Sequence, residues 1–174
     1  PKGVGFLYVN KNLDIEPIVI GGSQERGLRA GTESVHNIAG METALLLAYE
    51  NLEEDKKYIK RLKNHFIKES KINIPNIKFN ANCDDQQTNT YTVLNVCLPV
   101  SKEKAVLLEF NLDIKGIACS RGSACQSGSS KGSHVLNHVL EKEDLQKPSI
   151  RVSFSKYNTI KEVDFVVETL KGFI

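Results

Sequence analysis

An apolar stripe with helical spacing is the feature that most restricts how this chain can fold. Its members recur at intervals of three, four and seven positions, with Glu and Lys between them: Leu45, Tyr49, Leu52, Ile59, Leu62 and Phe66. Such spacing places the apolar side chains on one side of a helix. It predicts one long helix from about Ser34 to about Lys71, followed by the helix-ending residues Asn73, Pro75 and Asn76. The charged run 53–63 is interpreted as the solvated face of that helix.

The residues around this helix predict its start and a small sheet. Thr32 or Ser34 is expected to cap the helix, with Glu33 in its first turn. Apolar runs at 4–9 and 16–20 precede it, and Pro17 limits the second to a sheet edge or a strand start. Beyond the long helix, the patterns predict strands at 90–98, 114–119 and 150–154, and helices at 102–110, 134–140 and from Ile160 to Phe173. This order predicts an α+β fold, a small mixed or antiparallel sheet with helices packed on it.

Composition excludes several classes of function. The chain has 174 residues and a formal net charge of +2 that is spread along it, so no electrostatic footprint for nucleic acid is present. No apolar run approaches the length of about 18 residues that a membrane span requires, and no secretory signal precedes the first strand-like run. With four cysteines in a chain of this length, we expect reduced thiols and a cytoplasmic location. Because the chain starts at Pro1 rather than Met, we expect either a fragment or a chain whose front part has been removed.

A Ser/Gly-rich segment at 120–133 surrounds Cys125. Small residues favour a mobile loop, which is where a reactive thiol can be presented to a substrate and then to a partner. Arg121 and Lys131 would favour the thiolate, the nucleophilic form. The alternative is an inert cysteine in a flexible linker. Cys119 ends an apolar run and is interpreted as a small buried hydrophobe. Cys83 lies in the polar stretch 80–88 and is expected to be exposed.

Two other interpretations of this segment fail on spacing. A phosphate-binding loop requires Gly-Lys-Ser/Thr where this chain has Gly128 followed by Ser129. A zinc site would use Cys119, Cys125, His134 and His138. A zinc finger has two to four residues between its cysteines and about twelve before its first His, and both intervals differ here. His134 and His138 are therefore interpreted as surface residues of a short helix.

Two further features are candidates for binding anions. The loop 24–32 places glycines, arginines and the Thr32 hydroxyl just ahead of a helix start, where free N–H groups and the helix dipole favour negative charge. An ordinary capped turn is the alternative. Arg151 lies in the apolar strand 150–154, where alternation puts it with Ser153 on one face and Ile150, Val152 and Phe154 on the other. It either pairs with a surface carboxylate or binds a substrate carboxylate through its two-pronged guanidinium.

The order and separation of four segments resemble the group I cysteine desulfurases, which are fold-type I, class V aminotransferase-like enzymes. The segments are PKGVGFLYV from Pro1, GGSQERGLRAGT from Gly21, SRGSACQS from Ser120 and IRVSF from Ile150. The second and third are specific to the group, and the resemblance extends over essentially the whole chain. It implies a pyridoxal phosphate enzyme that takes sulfur from L-cysteine, releases alanine and supplies sulfur for iron–sulfur clusters.

Three residues acquire roles through this resemblance. Cys125 matches the nucleophile that receives the sulfur as a persulfide. Thr32 matches the hydroxyl that reaches across a homodimer to the cofactor phosphate, and Arg151 matches the arginine that holds the substrate carboxylate. The resemblance also implies a sulfur-acceptor or iron–sulfur scaffold protein as partner.

The resemblance also implies what this chain lacks. The family's Schiff-base lysine lies a few residues before the PKG strand, so it falls outside the chain, and Lys2 does not match it. Residues 1–45 are expected to be a remnant of the large α/β cofactor-binding domain, and 46–174 the C-terminal small domain. Alone, the chain is expected to be inactive. Arg121 stands where the family more often has a small residue. The alternatives are a selenocysteine lyase-like enzyme, which tends to differ at the Cys125 loop, and a sulfur-carrier or scaffold-binding module without cofactor.

Overall fold

The computed structural model describes residues 2–85, 87–121 and 133–174. The chain forms two compact units, Pro1–Leu52 and Glu53–Ile174. The expected domain division at 45/46 stays a prediction. Most of the segment 120–133, including Cys125 and Lys131, lies outside the described residues.

The single long helix expected between Ser34 and Lys71 is in fact two helices. Helix α1 spans Val35–Glu50 and helix α2 spans Leu52–Asn73, and Asn51 between them has φ −117° and ψ 18°. Asn competes for backbone hydrogen bonds and is a weak helix former, whereas three acidic residues in the first turn of α2 favour a new helix start there. The prediction of one continuous stripe was therefore wrong: α1 buries none of its residues, and α2 buries Ile59, Leu62 and Phe66.

The start of α1 also differs from the expectation. Ser34 occupies the N-cap position, but its side chain accepts no backbone hydrogen bond of the helix. Its hydroxyl instead accepts a hydrogen bond from the Asn37 side chain at 3.1 Å. Glu33 precedes the helix rather than lying in its first turn. The first turn of α1 is therefore left without a side-chain cap.

The apolar runs 4–9 and 16–20 do not form strands among the described residues of the first unit. A strand requires neighbouring backbone partners for its N–H and C=O groups. Here, Ala30 N–H donates to the Val19 carbonyl at 3.1 Å. The apolar side chains are correspondingly exposed, as Tyr8 and Ile18 show with 82% and 96% of their surface open.

The second unit contains a four-stranded antiparallel sheet. Its strands are β1 (Lys78–Phe79), β2 (Val93–Cys97), β3 (Ser120–Arg121) and β4 (Ser149–Ser153), and they lie side by side in the order β1-β2-β4-β3. The described part of the same unit also contains helices α3 (Lys102–Ile114), α4 (His134–Val139) and α5 (Ile160–Phe173), besides most of α2. The α+β interpretation is confirmed at this level: helices combined with a small antiparallel sheet.

The strand predicted at 114–119 was wrong, because α3 continues through Ile114. The helix then ends in a turn in which Gly116 has φ +75°. Gly116 N–H donates to the Asp113 carbonyl at 2.8 Å, and Ile117 N–H donates to the Leu112 carbonyl at 2.9 Å. This pair of bonds is the Schellman arrangement that commonly ends a helix at glycine. The chain therefore reaches the sheet only at Ser120.

Alternation along β2 and β4 separates an apolar face from a polar one. Leu94, Val96, Ile150 and Phe154 are buried in one core with residues of α2, α3 and α5. Phe66 of α2 meets Phe154 edge to face, with ring centroids 5.8 Å apart. The opposite face of the sheet carries Asn95, Arg151 and Ser153, which leaves it available for a polar site.

Candidate active site

Arg151 lies in the middle of this polar face. Its cross-strand partners are Asn95 on β2 and Ser120 on β3, and residues directly opposite one another in a sheet project from the same face. The Arg151 guanidinium donates through Nη2 to the Ser120 hydroxyl at 3.3 Å. The side chain is exposed. No carboxylate among the described residues forms an ion pair with it. Its capacity for a two-pronged bond to an incoming carboxylate is therefore unused within that part of the chain.

Ser120 connects this face to the segment that carries Cys125. Ser120 pairs with Arg151 across the sheet, and Cys125 follows five positions later in the sequence. Cys125 and Lys131 are outside the described residues, and the side chain of Arg121 is outside them as well. The effect of Arg121 and Lys131 on the Cys125 thiolate thus stays a prediction. Strand β3, which leads toward Cys125 in the sequence, pairs with β4 beside Arg151.

Burial raises the pKa of the three described thiols. For Cys97 the carboxylate of Asp144 raises it further, and for Cys119 the carboxylate of Glu109 does the same. Burial is also the main cause at Cys83, where Lys63 and a backbone hydrogen bond of Asn95 act in the opposite direction. A raised pKa means less thiolate at neutral pH, and hence slower nucleophilic chemistry.

The expectation that Cys83 is exposed was wrong. It is partly buried and packs against the hydrophobic core. Its sulfur accepts a hydrogen bond from Asn95 N–H at 3.2 Å and donates to the Asn95 carbonyl at 3.3 Å. The polar sequence around Cys83 predicted solvent exposure. Instead, β1 ends at Phe79, and the Cys83 thiol bonds the backbone of Asn95 in the place where a neighbouring strand would otherwise do so.

Two asparagines at the polar face, Asn80 and Asn95, had no role predicted from the sequence. Asn80 is buried, with 4% of its surface exposed. Its side-chain Nδ2 donates to Asn95 Oδ1 at 2.8 Å and to the Ser149 hydroxyl at 2.9 Å. The available signal was an Asn within the otherwise apolar strand 93–97, on the same side as Cys97. A polar residue at a half-buried strand position requires a partner, and Asn80 is that partner.

Thr32 belongs to the first unit and lies in a tightly turned loop. Gly31, just before it, has φ +104°, and a Cβ there would meet the Arg29 guanidinium at 3.1 Å. Gly31 N–H donates to the side-chain oxygen of Gln24 at 3.2 Å. Glu25 and Arg26 are held in the left-handed region at φ 48° and 59°, which costs roughly 1 kcal/mol or more for such residues. The loop thus holds a demanding conformation just ahead of α1.

The Thr32 side chain is exposed. Thr32 lies three positions before the start of α1, and that helix start has no side-chain cap. Arg26 and Arg29, both exposed, supply positive charge in the same loop. A hydroxyl, uncapped N–H groups and two guanidinium groups suit a phosphate group. The residues present in this loop therefore fit the phosphate of a cofactor.

Cys125, one of the four residues that a zinc site would use, lies outside the described residues. His134 and His138 are exposed on α4. Within residues 2–85, 87–121 and 133–174, no three His, Cys, Asp or Glu side chains come together to hold a metal. None of the helices described there is long and apolar enough to cross a membrane.

The fold and the polar face thus define a small α+β domain in which Arg151 forms no ion pair with a described carboxylate and lies beside Ser120, five positions before Cys125 in the sequence. Comparison with known proteins identifies its class. The family model of aminotransferase class-V matches residues 1–166, and the chain belongs to that family.

Particular relatives agree with the resemblance inferred from the motifs. The chain is 37% identical over its whole length to a cysteine desulfurase of Gluconacetobacter diazotrophicus, covering 42% of that protein. A solved NifS-like protein superposes on 95% of the chain with a TM-score of 0.74 and 28% identity, over 40% of its own length. A NifS-like protein from Rickettsia africae superposes on 93% with a TM-score of 0.72 and 30% identity, over 41% of its own length. The resemblance to cysteine desulfurases is confirmed, and the chain spans about two fifths of the length of such relatives.

Proposed function

We propose that this chain is the part of a pyridoxal phosphate-dependent cysteine desulfurase that binds the substrate carboxylate and receives the sulfur. The observation that carries the proposal is the exposed Arg151 guanidinium, free of carboxylates among the described residues and paired across the sheet with Ser120. A desulfurase needs the substrate carboxylate and the accepting thiol close together. A strand pair that holds Arg151 next to the start of the Cys125 segment supports that requirement.

Each of the three site residues has one role in the proposed reaction. The Arg151 guanidinium binds the carboxylate of L-cysteine and orients the substrate. The Cys125 thiolate forms a sulfur–sulfur bond with the substrate sulfur while the carbon–sulfur bond breaks. The electron pair of the broken bond stays on the substrate carbon, which takes up a proton, so that a persulfide is left on Cys125 and alanine is the product. Thr32 and the N-terminal end of α1 hold the cofactor phosphate. When bound, pyridoxal phosphate supplies the electron sink for cleavage at the substrate carbon.

The first unit supports the proposal that the chain works only with further protein around it. Its exposed apolar residues include Phe6, Leu7, Tyr8, Ile18 and Ile20, and on α1 Val35, Leu46 and Tyr49. Exposed apolar surface of this extent marks an interaction site. We attribute it to contact with the rest of the enzyme, in a cytoplasmic homodimer that delivers sulfur to an acceptor or iron–sulfur scaffold protein. The chain alone is then inactive.

Steady-state kinetics of the enzyme that contains this chain test the proposal. Arg151→Ala should raise the KM for L-cysteine by about 10- to 100-fold, since a hydrogen bond to a charged group contributes about 1.5–3 kcal/mol. The cofactor should stay bound. Arg151→Lys keeps the charge but loses the two-pronged geometry, so it should recover only part of the loss. An unchanged KM in Arg151→Ala would remove Arg151 from the substrate site.

A further inference from the structure

Residues of the turn that follows β1 form hydrogen bonds with Asn95. After Phe79 the chain leaves the sheet, with Ala81 and Asn82 both in the left-handed region at φ 52°. This turn brings Cys83 against the backbone of Asn95 and Asn80 against its side chain, with contacts of 2.8–3.3 Å. Asn95 is therefore held at both its main chain and its amide. Such double anchoring is more than a surface strand residue requires.

The anchoring leaves one end of the Asn95 amide available. Its Oδ1 accepts from Asn80 Nδ2, and the second proton of that Asn80 group goes to the Ser149 hydroxyl. No described residue accepts a hydrogen bond from Asn95 Nδ2. Asn95 is only half-buried, so this NH2 group can meet a ligand on the polar face.

Asn95 is also the direct cross-strand partner of Arg151. Paired residues project from the same face with their Cβ atoms about 4.5–5.5 Å apart. A guanidinium and an amide NH2 group that project from the same face can each donate to one oxygen of the same carboxylate. Arg151 is held on its other side by Ser120 of β3, so the turn after β1 positions Asn95 and β3 positions Arg151.

We propose that Asn95 is a second ligand of the substrate carboxylate, donating from Nδ2 beside Arg151, and that Asn80 is the positioning residue that orients the Asn95 amide. This inference rests on the proposed function, because it takes Arg151 as the carboxylate ligand. Asn80 acts by presenting an NH2 group to Asn95 Oδ1, which turns the Asn95 NH2 group toward the ligand.

Replacements at Asn95 separate a donor role from a structural one. Asn95→Ala should raise the KM for L-cysteine about tenfold, with kcat changed less than about threefold. Asn95→Asp keeps the oxygen that accepts from Asn80 but replaces the free NH2 group with a negatively charged oxygen. It should raise KM at least as much as Asn95→Ala, because that oxygen repels a carboxylate. Inhibition by cysteamine, which has the thiol and amine of cysteine but no carboxylate, should be unchanged in both variants.

Two results would overturn the inference. One is an Asn95→Asp enzyme with the KM of the unmodified enzyme, since the retained oxygen would then be all that Asn95 provides. The other is an Asn95→Ala enzyme whose KM is unchanged while Arg151→Ala raises KM. Failure of Arg151→Ala itself to raise KM would instead refute the proposed function. Asn80→Ala should raise KM in the same direction as Asn95→Ala, and additive effects of the two changes would contradict the orienting role of Asn80.

Discussion

The thiol of Cys83 offers the most specific test of how the polar face is built. Cys83→Ala removes the sulfur that bonds both the N–H and the carbonyl of Asn95. An unsatisfied buried backbone group costs about 1–3 kcal/mol. Asn95 is only half-buried and thiols bond weakly, so water recovers part of this loss. We therefore expect Cys83→Ala to lower the free energy of unfolding of the chain by about 1–2 kcal/mol.

Urea denaturation followed by circular dichroism measures this change, and Cys83→Ser is its matched control. A serine hydroxyl can bond the same two backbone groups, so Cys83→Ser should lose about half as much stability as Cys83→Ala. An unchanged midpoint for Cys83→Ala would refute the reasoning. A serine variant less stable than the alanine variant would refute it as well, because apolar packing would then outweigh the hydrogen bonds.

Three other outcomes are expected. Thr32→Ala in the whole enzyme should weaken retention of pyridoxal phosphate about 10- to 100-fold, as measured by cofactor release. Cysteine turnover at saturating cofactor should change little. Unchanged retention would exclude Thr32 from the phosphate site. The 174-residue chain mixed with pyridoxal phosphate should not hold cofactor that borohydride fixes to one lysine, and fixation to a single lysine would contradict the expected absence of the family's Schiff-base lysine. Iodoacetamide should alkylate Cys83, Cys97 and Cys119 slowly at pH 7 and faster as pH rises, because their raised pKa values keep the thiolate scarce at neutral pH; fast alkylation of these thiols at pH 7 would contradict their burial.

The strands and helices with strict periodicity were predictable from sequence. The strand around Arg151 and the last helix, Ile160–Phe173, lie where alternation and the 3.6-residue period placed them. The capping box that joins Thr159 and Glu162 reinforces the start of that helix. In these segments, the structure that the local sequence favours is also the structure that the packing of the second unit favours.

The errors came from contacts that a periodic pattern does not contain. One apolar stripe continued past Asn51, although its two halves belong to separate helices. The run 114–119 resembled a strand until Gly116 ended α3 with a left-handed turn. The runs 4–9 and 16–20 have strand composition, but a strand forms only where a neighbouring strand supplies its hydrogen bonds.

The candidate site was predictable in part. Arg151 was found because alternation isolates it on one face of an apolar strand. Asn95 and Asn80 received no role because their interaction crosses 15 positions of sequence. It depends on a turn with two left-handed residues that no motif indicates. The exposure of Cys83 was misjudged for the same reason.

We propose that Cys125 is the residue that receives sulfur from L-cysteine. The decisive experiment incubates the enzyme that contains this chain with L-cysteine, traps persulfides with an alkylating reagent and maps them by peptide mass spectrometry. Cys119→Ser, six positions away, serves as the matched control for Cys125→Ser. We expect a persulfide on Cys125 that survives Cys119→Ser, and no alanine release in Cys125→Ser. A persulfide on Cys83, or full alanine release in Cys125→Ser, would contradict it.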